Sequence, residues 1–223
     1  MGNRAGPGGS RASGFTDRAQ QDLGCAIRVR KSIPAGGGLG GGSSDAASVL
    51  MGLNELFGLG LDRTALVEIA MSLGSDIAYF IDPGFTPPRP AIVSGFGERI
   101  NRLGTDHRGQ ELTLIFPDFG CPTGAVYRSF DAIVEQSDPD TSAAHRLTEA
   151  TTIEESMIVN DLYAPACVVA SELGVMRDRL AQAIGRGVHL SGSGSTLFVL
   201  GRIEGGLVHE LAPDWRVVHT RLS

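Results

Sequence analysis

A glycine-rich run offers the clearest chemistry in the sequence. Six glycines fall between residues 36 and 42, so their main-chain N–H groups have almost no side-chain bulk around them. Phosphate oxygens are held best by several main-chain donors, and glycine lets the backbone approach such an anion closely. Two serines follow, and either hydroxyl, Ser43 or Ser44, is a candidate Mg²⁺ ligand. The candidate phosphate-binding residues are Pro34, Ala35, Gly36, Gly37, Gly38, Leu39, Gly40, Gly41, Gly42, Ser43 and Ser44.

The elements around this run are predicted to be a strand before it and a helix after it. Residues 25–30 put apolar side chains on one face and two arginines on the other, which is the period of a half-buried strand. Behind the run, apolar residues recur at helical spacing over residues 46–57, with Ser44 or Asp45 suited to cap the helix. Because a helix N-terminus stabilises an anion placed against it, this arrangement predicts a phosphate site.

Two other phosphate-binding patterns fit the run less well. Gly36, Gly38 and Gly41 satisfy the spacing of the dinucleotide fingerprint, but that spacing is weak in a run so rich in glycine, and the preceding strand ends in Pro34. The Walker-type P-loop needs a lysine after its last glycine, which is absent here. A flexible linker is also disfavoured, because the run lies between a predicted strand and a predicted helix.

Four segments resemble the motifs of one enzyme family. Residues 34–47, Pro-Ala-Gly-Gly-Gly-Leu-Gly-Gly-Gly-Ser-Ser-Asp-Ala-Ala, resemble the second motif of the GHMP kinases, the galacto-, homoserine, mevalonate and phosphomevalonate kinases. Residues 73–80 and 94–98 are similar to family motifs that follow it. Residues 190–196 resemble the third motif, a second glycine loop that closes over the catalytic centre. The resemblance covers roughly residues 24–223 and implies an ATP- and Mg²⁺-dependent kinase for a small-molecule alcohol.

The resemblance implies roles for single residues. Asp76, in a Gly-Ser-Asp turn, matches the family's catalytic aspartate, and helix capping is the alternative role. Tyr127 matches an aromatic residue that relatives present to a cytosine ring, and a core position is the alternative. Asp45 is expected to cap a helix or to contact Mg²⁺ indirectly. The residues of the third motif expected to meet phosphate or substrate, rather than form an ordinary tight turn, are Gly192, Ser193 and Gly194.

Substrate choice follows from the same resemblance. The triple glycine before Ser-Ser-Asp is most similar to the family member that phosphorylates the 2-hydroxyl of a cytidine diphosphate-linked polyol in non-mevalonate isoprenoid biosynthesis. Two alternatives stay open: another GHMP kinase, of the homoserine or mevalonate type, and a non-catalytic nucleotide-binding remnant.

The fold is predicted to be α+β, because helices alternate with strands along the chain. The resemblance implies the two-domain GHMP kinase architecture, with an incomplete N-terminal domain and a ferredoxin-like C-terminal domain. We expect a disordered tail over residues 1–22, the N-terminal domain over 23–135 and the C-terminal domain over 136–223. Further helices are predicted at residues 62–73, 123–134, 154–172, 174–184 and 205–211, and further strands at 91–94, 112–116, 196–200 and 216–219.

One family motif is absent before the glycine run. The first GHMP motif, Pro-x-Lys-x-Asn, does not occur ahead of Pro34, and Lys31, the only lysine, does not replace it by pattern. A misplaced coding start, a degraded kinase and a fold completed by a partner are the three explanations. The first is favoured because every later motif is retained. The chain alone is therefore expected to transfer phosphate poorly.

Composition excludes several classes of protein. A formal net charge of −6 argues against a general binder of nucleic acid or anionic membranes. No apolar run approaches the roughly 20 residues that a membrane span needs, and no signal peptide is visible. The three cysteines are far apart, which favours reduced thiols in a cytoplasmic protein over disulfides or a zinc site. The expected partner is a small-molecule substrate, and the oligomeric state stays open.

Overall fold

The computed structural model describes residues 24–104, 107–133 and 142–222, and they form a mixed α and β structure as predicted. The chain divides into two compact units. The first contains Gly40–Leu103 and the described part of Met1–Ser32, and the second contains Ile33–Leu39 and the described part of Gly104–Ser223. The glycine run is thus shared between them, with its first half in the second unit. The predicted disordered tail lies outside the described residues.

The first unit is built from two helices, a 3₁₀ turn and a hairpin. Helix α1 spans Gly41–Leu56, α2 spans Arg63–Leu73, and the 3₁₀ turn is Ala78–Phe80. Strands β1 (Ala91–Ser94) and β2 (Arg99–Arg102) pair antiparallel. The side chain of Asp62 caps α2 by accepting a hydrogen bond from Ala65 N at 2.9 Å. The core of this unit contains Ala46, Ala47, Leu50, Leu53, Leu66, Ile69, Ala70, Ile77, Ala78 and Ile81.

Two predictions for the first unit are wrong. Residues 24–30 form no strand, and Ile27 and Val29 are exposed, because none of the strands in the described part of the chain pairs with this segment. Helix α1 begins earlier than predicted, with Gly40 at its N-cap, so neither Ser44 nor Asp45 caps it. Strand β2 was missed because its sequence, Arg-Ile-Asn-Arg, has one apolar residue.

The second unit is a four-stranded antiparallel sheet with helices. Its strands are β3 (Glu111–Phe116), β4 (His189–Leu190), β5 (Leu197–Leu200) and β6 (Arg216–Arg221), in the order β4-β5-β3-β6. With a helical stretch after β3 and another between β5 and β6, this is the predicted ferredoxin-like arrangement. The helices are α3 (Thr123–Ile133), α4 (Ser142–Glu149), α5 (Tyr163–Val169), α6 (Ser171–Ile184) and α7 (Gly205–Leu211), and a 3₁₀ turn spans Glu155–Met157.

The predicted domain boundary between residues 135 and 136 does not coincide with this division. Strand β3 and helix α3 precede that boundary, yet both belong to the second unit, because β3 pairs with β5 and β6. On α3, Val126 is buried and Ile133 is 48% exposed. Among the described residues, no helix is long and apolar enough to cross a membrane.

The helix predicted over residues 154–172 is interrupted. Its first turn is the 3₁₀ turn Glu155–Met157, and regular helix resumes only at Tyr163. The side chain of Asn160 accepts a hydrogen bond from Leu162 N at 3.0 Å, which is the local turn that asparagine favours over a continuous helix.

Candidate active site

The N-terminus of α1 presents main-chain donors in the middle of the glycine run. Gly40 precedes it with a left-handed backbone, φ 64°, and offers no side chain that could cap the helix. The first helical hydrogen bond runs from Ser44 N to Gly40 O at 2.9 Å. The N–H groups of Gly41, Gly42 and Ser43 therefore have no acceptor within the helix. Residues 40–44, the N-cap and first turn of α1, are called the open loop below. With the helix dipole, their free N–H groups can bind an anion.

A cationic side chain lies beside the open loop. Lys31 Nζ is 2.6 Å from Asp45 Oδ2, and a Cβ added at Gly41 would lie 3.3 Å from the same nitrogen. Both charged side chains are more than a third exposed, so the ion pair contributes little to stability. Asp45 pairs with Lys31 instead of capping α1. No sequence pattern predicted a role for Lys31, because its proximity to α1 depends on the path of the backbone between them.

Asp76 is exposed in the turn between α2 and the 3₁₀ turn. Its Oδ1 lies 3.2 Å from Ser75 Oγ, which donates a hydrogen bond to it. The 3₁₀ turn has Ile77 at its N-cap and no side-chain capping bond, so the carboxylate of Asp76 is not used as a cap. The side chain is free to meet a second molecule.

The turn of the β1–β2 hairpin contacts the segment that carries Asp76. Gly97 has φ 100°, and a Cβ added there would overlap the carbonyl oxygen of Ser75. Only glycine allows this close approach. Glu98 Oε2 closes the hairpin turn by accepting a hydrogen bond from Phe96 N at 2.6 Å. Both residues belong to the third matching segment, residues 94–98. Their contacts explain why this segment has a glycine and a glutamate at these positions.

An ionic cluster around the buried Asp82 anchors the backbone that follows Asp76. Arg102 donates hydrogen bonds to the carbonyl groups of Tyr79 and Ile81. Asp82 accepts two hydrogen bonds from the Arg89 side chain, each at 3.0 Å. The side-chain hydrogen bond from Arg89, helped by the charge of Arg102, lowers the pKa of Asp82 to about 2. The carboxylate is therefore ionised near neutral pH and holds both arginines.

The first half of the glycine run packs against the third motif inside the second unit. Ser191 Oγ donates to Gly38 O at 3.0 Å, and Thr196 N donates to Gly37 O at 3.3 Å. Gly38 has φ 72°, and a Cβ added there would overlap Ser191 O and lie 2.8 Å from Gly194 N. We call residues 190–196 the packed loop, because its polar groups are largely occupied by such contacts.

The predicted contact residues of the second unit lie near the start of α3. Ser193 is 6% exposed, and its Oγ is 3.1 Å from Thr123 Oγ1. Gly192 and Gly194 flank it, both with positive φ. Tyr127 lies one helical turn after Thr123 and is 50% exposed, so it is not the core aromatic of the alternative interpretation. Thr123 was missed by sequence reasoning, because it resembles any polar residue at a helix start.

Three residues at the start of the glycine run line a small cavity in the second unit. The cavity has a volume of about 150 Å³. The hydroxyl oxygen of Thr196, which also lines it, is buried and has no hydrogen-bond partner in the described part of the chain. The cavity is lined by Pro34, Ala35, Gly37, Phe116, Pro117, Asp118, Phe119, Gly120, Ser195 and Thr196.

Comparison with known proteins decides the family. Residues 10–84 match the profile of the GHMP kinases N terminal domain. The 4-diphosphocytidyl-2-C-methyl-D-erythritol kinase of a Sulfurihydrogenibium species is 34% identical over 200 residues, which cover 88% of this chain and 70% of that protein. The chain belongs to this family of GHMP kinases. The predicted resemblance is therefore confirmed.

Two further relatives show how much of the length of related kinases this chain covers. The 4-diphosphocytidyl-2-C-methyl-D-erythritol kinase of Citrifermentans bemidjiense is 34% identical over 194 residues, covering 87% of this chain and 66% of that protein. The chain spans between 53% and 66% of the length of five such curated kinases, which is less than two thirds of each. A crystal structure of 4-(cytidine 5'-diphospho)-2C-methyl-D-erythritol kinase matches with a TM-score of 0.71 and 33% identity, over 97% of this chain and 80% of that one.

Proposed function

We propose that this protein transfers the γ-phosphoryl group of ATP to the 2-hydroxyl of 4-diphosphocytidyl-2-C-methyl-D-erythritol. The observation that carries the proposal is the uncapped N-terminus of α1 with Lys31 beside it. The names of the relatives support the choice of substrate. A small-molecule acceptor and a cytoplasmic site of action belong to the same proposal.

The open loop suits the phosphate groups of ATP. The N–H groups of Gly41, Gly42 and Ser43 would donate hydrogen bonds to phosphate oxygens, and Lys31 would add a positive charge. Glycine at the first two of these positions keeps side chains away from the anion.

The hydroxyls of Ser43 and Ser44 suit Mg²⁺. Neither hydroxyl has a hydrogen-bond partner among the described residues, so either can act as an oxygen ligand. A bound Mg²⁺ would neutralise phosphate charge. Asp45 is held by Lys31, which leaves the serines as the better candidates in this region.

Asp76 is proposed as the general base. Its exposed carboxylate, oriented by Ser75, would accept the proton of the acceptor hydroxyl. Phosphoryl transfer depends mostly on positioning, so the contacts of Gly97 and Arg102 with this region serve the same step. In the second unit, the exposed ring of Tyr127 would stack on the cytosine base.

The test is a substrate panel. The purified protein is incubated with ATP, MgCl₂ and one acceptor at a time, and ADP release is followed with a coupled assay. The acceptors are 4-diphosphocytidyl-2-C-methyl-D-erythritol, free 2-C-methyl-D-erythritol, homoserine and mevalonate. We expect turnover only with the first of these acceptors, and slowly because the first family motif is absent before Pro34. ³¹P NMR of the product should place the new phosphate on the 2-hydroxyl.

Three results would contradict the proposal. Faster turnover of homoserine or mevalonate would assign the chain to another GHMP activity. Nucleotide binding without transfer to any acceptor would favour the non-catalytic reading. Turnover of free 2-C-methyl-D-erythritol at the same rate would remove the role of the cytidine and of Tyr127.

A further inference from the structure

The ring of Phe80 lies against the first residue of the open loop. A Cβ added at Gly40 would be 3.0 Å from Phe80 Cζ and 3.2 Å from Phe80 Cε2. The ring therefore occupies the space that a side chain at Gly40 would need. Both residues belong to the first unit, so this contact joins two parts of one compact body.

The same ring belongs to the turn that follows Asp76. Phe80 is the last residue of the 3₁₀ turn, and its N–H donates a hydrogen bond to Ile77 O at 3.0 Å. Ile77 and Ala78, which lie between Asp76 and Phe80, are buried in the core of the unit. Because this short segment is tightly turned and packed, a shift of the Phe80 ring moves the backbone that carries Asp76.

Tyr79 and Arg102 restrict the movement of Phe80. The rings of Tyr79 and Phe80 meet edge to face, with their centroids 5.0 Å apart. The guanidinium carbon of Arg102 is 5.0 Å from the centre of the Tyr79 ring. Arg102 also donates hydrogen bonds to Tyr79 O and Ile81 O, the carbonyl groups of the two residues that flank Phe80. The backbone on both sides of Phe80 is thus held in place.

We propose that Phe80 is a positioning residue that fixes the start of the open loop relative to the proposed general base. It acts through its contact with Gly40 and through the short turn that begins at Asp76. This inference rests on the proposed function, because it takes the open loop as the phosphate site and Asp76 as the base. Phosphoryl transfer needs both in register, and an error of about 1 Å costs on the order of 100-fold in rate.

The test compares Phe80→Leu, which opens a gap beside Gly40, with the matched control Phe57→Leu. Phe57 packs against the same core but follows the last residue of α1, a helix of 16 residues that is roughly 24 Å long. Phe80→Leu should lower kcat about tenfold and change the ATP dissociation constant by less than about twofold, because the N–H groups of the open loop stay free. Phe57→Leu should change neither quantity. Coupled ADP release and titration calorimetry measure them, and urea unfolding compares the stability of the two variants.

Phe80→Tyr disturbs the same contact in the opposite direction. The added hydroxyl is attached to Cζ, the ring atom nearest to the position of a Cβ at Gly40, so it overfills the contact and leaves no gap. We expect kcat to fall in this variant as well.

A double-mutant cycle shows whether Phe80 acts through Asp76. Once Asp76→Asn has removed the base, the position of that residue matters little. Adding Phe80→Leu should then lower kcat by less than about a further twofold, since residues that act as a unit are not additive.

Hydrogen exchange gives a readout that does not depend on turnover. ATP bound at the open loop should slow amide exchange in residues 40–44 and, through the Phe80 ring, in residues 76–81. In Phe80→Leu the slowing should persist in residues 40–44 and be lost in residues 76–81.

Other results would overturn the inference. An unchanged kcat in Phe80→Leu, or ATP-dependent slowing of residues 76–81 that survives in this variant, would mean that the ring does not link the two segments. Equal losses of kcat in Phe80→Leu and Phe57→Leu would assign the effect to the core as a whole. A full tenfold loss on top of Asp76→Asn would show that Phe80 does not act through Asp76. Failure of the unaltered protein to bind ATP or to transfer phosphate would instead refute the proposed function, and with it this role.

Discussion

The open loop and the packed loop are both rich in glycine and serine, but their polar groups are bonded differently. In residues 40–44, the helix N-terminus leaves its first N–H groups without an internal acceptor, and no side chain caps it. In residues 190–196, Ser191, Ser193 and Ser195 all have hydrogen-bond partners within the second unit. The N-terminus of α1 thus leaves main-chain donors without an internal acceptor, whereas the serine hydroxyls of the packed loop are bonded within the second unit.

Glycine has a different purpose in each case. Around Gly38 it permits two backbones to approach within a distance that any side chain would prevent. At Gly42 a Cβ would meet nothing within 4 Å, so glycine there keeps space clear.

The largest expected effect is on kcat and follows from a change at Asp76, the proposed general base. Asp76→Asn removes the proton acceptor, so kcat should fall by about 100-fold to 10,000-fold. Stability should hardly change, because the side chain is exposed. Coupled ADP release and thermal unfolding measure the two quantities. Asp131→Asn, exposed on α3, is the control, and a similar loss of kcat in both variants would exclude the proposed role.

Gly97→Ala tests whether the close contact between Gly97 and Ser75 positions Asp76, the proposed general base. The added Cβ must displace the carbonyl of Ser75, next to Asp76. A shift of about 1 Å at a catalytic group costs on the order of 100-fold, so kcat should fall while the ATP dissociation constant stays the same. Gly52→Ala, in open space on α1, serves as the control in steady-state kinetics and ATP titration. Loss of ATP binding in Gly97→Ala would show damage beyond the Asp76 turn.

The sequence correctly predicted the helix after the glycine run but not the structure of the segment before it. Spacing predicted the helix behind the glycine run, because helix-forming patterns are local properties, and the phosphate site stays a prediction. The strand predicted at residues 25–30 was wrong, since alternation cannot report whether a pairing partner exists. Lys31, Thr123 and Asn160 were missed for a related reason. Each has a side-chain contact with a residue 14 to 70 positions away in sequence, and a local sequence pattern carries no signal for such contacts.

Gly38→Ala and Gly42→Ala compare the two uses of glycine directly. Alanine at Gly38 is strained at φ 72° and overlaps Ser191, so the free energy of unfolding should fall by about 1 to 3 kcal/mol. Alanine at Gly42 meets nothing and lies in a helix, so it should stabilise the protein by up to about 1 kcal/mol. Gly42→Ala should also weaken ATP binding, because the added methyl group would crowd the anion.

Urea unfolding measures the change in the free energy of unfolding of each variant, and titration of the same samples measures the change in ATP affinity. If Gly42→Ala bound ATP as tightly as the unaltered protein, the open loop would not be the phosphate site. If Gly38→Ala were as stable as Gly42→Ala, the packing between Gly38 and the packed loop would have no energetic weight.

The smallest expected effect concerns the charge beside the open loop. Lys31→Met keeps the apolar stem and removes the ammonium group, and it should weaken ATP binding about fivefold, the range of a partly exposed ion pair. The loss should shrink as salt is raised, because salt screens this attraction. Asp45→Asn should strengthen ATP binding, since it releases Lys31 Nζ from a carboxylate oxygen 2.6 Å away.

Titrations at two salt concentrations distinguish a local charge from a change in net charge. Arg179→Met, on the exposed face of α6, is the control. Equal losses for Lys31→Met and Arg179→Met would mean that the lysine acts only through the overall charge of the protein.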